Sequence, residues 1–133
     1  MELKSFEQLE KAINNHLELK RLTMKNAKGI AHANSLIASG DFMIPETWER
    51  PTAEMENAYL EENGYEKYAL WFLGVDPDLD KETKGHYGYI YTSDFKTVDR
   101  RGLAAIRQYS AQNNMPSIFA AAGKMIEKID AKK

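Results

Sequence analysis

Apolar positions in this chain recur mostly three and four residues apart, the spacing of amphipathic helices, and alternate strictly in one place only. Phe6, Leu9, Ile13 and Leu17 define one such face, and Ser5 with Gln8 three residues on has the form of a capping box, so a helix is predicted over 5–22. Thr23 stands where it would cap a second helix carrying Ala27, Ile30, Ala33, Leu36 and Ile37, which Gly40 stops. Helices joined this tightly predict an antiparallel pair over 5–39.

Between Pro45 and Pro51 no period survives, and the segment reads as an ordered loop that lays Trp48 on the core. Thr52 then caps an acidic helix to about Asn63. The run from Tyr65 to Leu73 has the length of a strand, but Tyr65, Tyr68, Ala69 and Phe72 share a helical face, and helix is the expectation. Tyr87, Tyr89 and Tyr91 alternate as in a strand, and Ser93-Asp94 turns that strand back into Phe95–Val98, a small hairpin over 87–98. Asp99 caps a helix from Arg100 to about Asn113, and a last helix from Ser117 carries Ile118, Ala122, Met125 and Ile129. The fold class is therefore mainly α, of α+β type, with about six helices and one hairpin in a single domain over 1–133. Phe6, Leu9, Ile13, Phe72, Leu103, Ile106, Met125 and Ile129 should share its core.

Composition narrows the function classes more than it names one. With 133 residues and no cysteine there is room for one core and no material for a disulfide or a thiolate metal site. The N-terminus is charged from Glu2, and no apolar run approaches the ~18 residues of a membrane span, so a cytoplasmic protein with no membrane partner is expected. The net charge of -2 argues against a strong nucleic-acid footprint. It is unevenly spread, however: residues 41–66 carry eight acids and one base, and residues 85–133 carry eight bases and four acids. Attraction between these blocks, within the fold or between copies, is the expectation.

Local chemistry is sparse. Asp76, Asp78 and Asp80 open like a calcium loop, but Lys81 stands where glycine is needed and Tyr87 where a bidentate glutamate is needed, which makes a solvated turn the better reading. His16, His32 and His86 are too far apart for a local ligand spacing, and no nucleophile elbow or phosphate loop is present. No cofactor, metal or catalytic residue is expected on these grounds. The candidate interaction surface comprises Tyr87, Tyr89 and Tyr91 with Asp94, Arg100, Arg101 and Arg107. Its paired arginines fall in a first helical turn, where the macrodipole disfavours cations and a compensating carboxylate is required; Asp94, Asp99 and the acidic middle block are the candidates.

The segments Tyr68–Asp76, Thr83-Lys84-Gly85, Asp94-Phe95, Val98–Ile106 and the closing 122–130 helix together resemble an uncharacterised small domain family of bacteria, phages and prophages, often encoded near head-assembly genes. The likeness runs from Tyr65 onward, through 65–131, and excludes the N-terminal helical pair; Gly88 and Ile90 stand where the family often has proline. It implies a non-catalytic accessory or protein-interaction domain, with a protein partner or a second copy, and supplies no catalytic residue. The alternative is a nucleic-acid-binding protein using Arg100, Arg101, Arg107, Lys124 and Lys128 with the tyrosines as stacking surfaces. An enzyme whose site assembles from distant residues is the third class.

Overall fold

The structure, a computed structural model, describes residues 24–132. The helix expected over 5–22, with Phe6, Leu9, Ile13 and the capping position Thr23, lies outside them. Among the described residues the elements run β1 (Met24–Lys25), α1 (Ala27–Ala38), β2 (Phe42–Met43), α2 (Ala53–Tyr68), β3 (Phe72–Val75), β4 (Tyr87–Ile90), β5 (Val98–Asp99), α3 (Arg100–Gln112) and α4 (Pro116–Lys132), with 3-10 turns at Ala69–Trp71 and Lys84–His86. This is an α+β arrangement with four α-helices among the described residues, where five of the about six expected fall.

Each helix follows from its local sequence. In α1, Gly29, Ala33 and Ile37 fall four apart and form the buried side, and Gly40 at φ 83° ends the helix where a side chain would be strained. Thr52 caps α2 by accepting from the Met55 amide at 3.2 Å, and Glu54 and Glu56 complement the dipole of its first turn. Pro116 starts α4, where its missing N–H costs nothing, and Ile118, Ala122, Met125 and Ile129 bury its inner side. Leu103 and Ile106 bury the inner side of α3, and α3 and α4 form the most extensive pairing of elements among the described residues.

Two expectations need correction. The Tyr65 to Leu73 helix does not form as one element. Gly64, at φ 83° and ψ 172°, breaks α2, one further turn ends at Tyr68, and the chain passes through the 3-10 turn into β3. Phe72, Leu73 and Gly74 are buried, and β3 is paired on both sides, with β1 (Met24↔Val75) and with β4 (Phe72↔Ile90, Val75↔Tyr87). A strand enclosed in this way reads as a continuous apolar run and gives no alternation to detect.

The hairpin is the second correction. β4 is a strand as expected, but it pairs with β3, while β5 pairs in parallel with β2 (Phe42↔Val98, Met43↔Asp99). Residues 92–97 are occupied instead by a side-chain-braced turn. The Thr92 hydroxyl donates to the Thr97 carbonyl at 2.7 Å and accepts from the Phe95 amide at 3.0 Å, which holds Phe95 at φ 55° and turns its ring onto Tyr59 at 4.5 Å.

The core is one cluster. Phe72, Leu103, Ile106, Met125 and Ile129 all belong to it as expected, joined by Leu73, Tyr91, Val98 and Ile118, with Trp48 packed against its edge. Within it α1 lies close against the start of β3: a Cβ built on Gly29 would stand 1.8 Å from the Phe72 carbonyl oxygen. Gly29→Ala is therefore expected to destabilise the protein by about 3 kcal/mol, since backbone must move on one side or the other. Gly88→Ala, where nothing lies within 4 Å, should change stability by a few tenths at most. Urea denaturation of the two variants beside the parent checks the contrast.

Candidate interaction surface

The residues singled out along 87–107 do not form one surface; the fold sends them to separate places. Tyr91 is wholly buried, its hydroxyl donating to the Leu70 carbonyl at 2.6 Å, and burial pushes its phenol far above the ordinary range. Tyr87 is half-buried against Tyr68, Phe72 and His86, with its ring parallel to that of Tyr65 at 6.1 Å and its hydroxyl donating to the Lys81 carbonyl at 2.6 Å. Tyr89 has φ 62°, which breaks the alternation, and its hydroxyl accepts from the Asn113 side chain at 3.0 Å.

The arginines separate too. Arg100 forms a two-pronged pair with Asp130 at 2.7 and 2.8 Å, so the cation at the start of α3 is compensated by α4 and not by Asp94, Asp99 or the acidic block. Asp99 accepts the Arg101 and Gly102 amides at 2.8 and 3.1 Å and caps α3. Its carboxyl nevertheless lies above the ordinary value, because burial outweighs those amides. Arg101 lies over the 44–51 loop and donates from Nε to the Pro45 carbonyl at 3.1 Å. Arg107 stacks its guanidinium 3.9 Å above the Phe119 ring, against Gly123, with its Nε buried and unpartnered. Glu56 of the acidic block pairs with Arg50 at 3.6 Å and Lys84 at 3.3 Å.

The opening these residues leave was not visible as a motif. A cleft of about 190 Å³ runs between α3 and the 44–51 loop, lined by Trp48, Arg50, Tyr89, Ile90, Ala105 and Tyr109 among others. Gly102 gives it room: a Cβ there would stand 2.5 Å from the Trp48 ring, so any side chain at this position would push the indole off α3. Tyr109 is 55% exposed at one wall, and Ile44, in the same loop as Trp48, is exposed as well. Of the expected residues only Tyr89 lines the cleft itself. The single sequence signal for it was an isolated tryptophan between two prolines.

Asp94 has a structural role. Burial works against its charge, but the Lys96 and Thr97 amides at 2.9 Å and the Thr97 hydroxyl outweigh it, holding the carboxyl below its ordinary 3.8. A folded-state value below the unfolded one means that the stabilisation is complete above the unfolded value and is lost as pH falls through the folded one. Asp94→Ala should thus cost about 1–3 kcal/mol at neutral pH. The gap to the parent should narrow only once pH drops below 3.8, which denaturant titrations between neutral pH and pH 3 would follow.

No protein-family model, curated protein or solved structure matches the chain. The surface has to be read from its own residues.

Proposed function

We propose that the protein is a non-catalytic interaction module, of the accessory kind that its likeness to the phage- and prophage-associated domains implies, and that it docks a partner protein at the Trp48 cleft. One observation carries this reading. The cleft gathers Trp48, Tyr89, Tyr109 and Arg50 around one opening, and tryptophan, tyrosine and arginine are the residues in which binding energy concentrates. Two of these aromatics are already fixed, Trp48 by its seat on Gly102 and Tyr89 by Asn113, so little freedom is lost on binding. Arg50, its side chain 65% exposed, and Arg101 flank the opening with positive charge. The fitting partner segment has one bulky apolar side chain next to a carboxylate.

What supports a protein partner over nucleic acid is that two of the cations a strand would need are already engaged. Arg100 is bonded to Asp130, Lys128 donates to Asn34, and Tyr91 has no exposed ring on which a base can stack.

Selection of random peptides on the full chain tests the reading. The expected consensus is a large apolar residue beside Asp or Glu, and Tyr109→Ala should weaken the best peptide by about 2 kcal/mol while leaving the unfolding midpoint unchanged. Labelled single-stranded and duplex DNA should show no anisotropy change near physiological salt. Tight, salt-sensitive DNA binding that Arg100→Ala with Arg101→Ala abolishes would overturn the proposal.

A further inference from the structure

A second opening shares no residue with the Trp48 cleft. It is a groove of about 600 Å³ between the start of α1, the end of α2 and the 81–87 loop, within the size range of small-molecule sites. Tyr65 and Tyr87 bring two near-parallel rings to its wall, and Lys25, Lys28 and Lys81 bring three cations to it. None of those ammonium groups pairs with a carboxylate among the described residues.

Two features of the groove bear on what it can hold. The first is the open end of α1. Its capping residue, Asn26, makes no cap: the side-chain amide donates instead to the Ala69 and Phe72 carbonyls, at 2.8 and 2.9 Å. The amides of the first turn, at Ala27 and Lys28 on the groove wall, are thus left without a side-chain acceptor, and the dipole adds to the charge of Lys25 and Lys28. The second is His86, a ring only 7% exposed that lines the same groove. Its Nδ1 lies 2.7 Å from the Leu79 carbonyl, an acceptor only, so Nδ1 carries the proton and Nε2 is left as a lone-pair acceptor. Nε2 has no partner among the described residues, and the ring lines both this groove and the neighbouring opening at Val75, Pro77 and Leu79.

From this geometry we infer that the groove binds a small ligand carrying one oxyanion on a flat ring. The oxyanion sits on the open α1 end between Lys25 and Lys28, and the ring lies against Tyr65 and Tyr87. Glu66 and Glu82 also line the groove and bring the count to three cations and two anions. They confine the negative charge to one compact group at the α1 end and exclude a polyanionic strand. Phosphate esters and aromatic carboxylates share this chemistry, and the test separates them.

The full chain, labelled with 15N, is titrated with phenyl phosphate, benzoate and inorganic phosphate. The amides of Ala27 and Lys28 should shift saturably, with a dissociation constant of about 1 mM or tighter for the ring-bearing probes. Whichever of those two binds more tightly fixes the oxyanion as phosphate or carboxylate. Replacing Lys25 and Lys28, both exposed, with alanine should weaken binding about tenfold or more without altering the fold. Tyr65→Ala should weaken phenyl phosphate and benzoate about tenfold and leave inorganic phosphate unchanged. The inference fails if no probe gives saturable shifts at Ala27 and Lys28, or if the shifts survive the double lysine replacement. Neither result bears on the Trp48 cleft.

Discussion

The side chain of Asn26 joins the parts of this fold that the local sequence does not join. Its amide donates to the Ala69 and Phe72 carbonyls, and its backbone N–H donates to Leu73 at 2.8 Å. One residue, 8% exposed, thus fixes β1, the start of α1, the 3-10 turn and the start of β3 in one place. Only because that contact is so short must position 29 be glycine. Only because the amide is used there is the α1 end left uncapped towards the groove. A residue type that ordinarily closes a helix serves here as a clamp between elements.

A similar economy governs the surface. The tyrosines and arginines of 87–107 are a conspicuous group in the sequence, yet most of their polar and aromatic capacity is satisfied inside the molecule. Tyr91 fills the core, Arg100 ties α3 to α4, and Arg107 lies on Phe119. What remains open is built from residues that carry no motif: an indole seated on a glycine, a helix end lacking its cap, and a buried histidine with one ring nitrogen free. Recognition here depends on where rigid groups are held and not on a chain of functional residues.

Legibility followed the range of the interactions. The buried sides of α1, α3 and α4 could be read because side chains three and four apart must share a face, and the Thr52 and Asp99 caps could be read because their partners lie two or three residues on. β3 could not. Its partners, at 24–25 and 87–90, are remote, and the helical spacing of Tyr65, Tyr68 and Ala69 runs into it because those residues do lie in helical turns. The strand at Tyr87–Ile90 was legible and its partner was not, since the nearer segment is consumed by the turn around Thr92 and Asp94. The need for a carboxylate near Arg100 was also legible, but Asp130 lies thirty residues away and on another helix. Apart from the isolated Trp48 between two prolines, neither opening had a signal, because each is assembled from segments that sequence spacing does not relate.

The central claim is that Asn26 acts as a hydrogen-bond donor between elements and not as a helix cap. Asn26→Asp tests it most directly, because the two residues cap helices about equally well but aspartate cannot donate and would set a charge against two carbonyls. Urea denaturation at neutral pH is expected to show a loss of about 2–4 kcal/mol for the variant, with the midpoint falling and the slope unchanged. A midpoint equal to or above that of the parent would contradict the account.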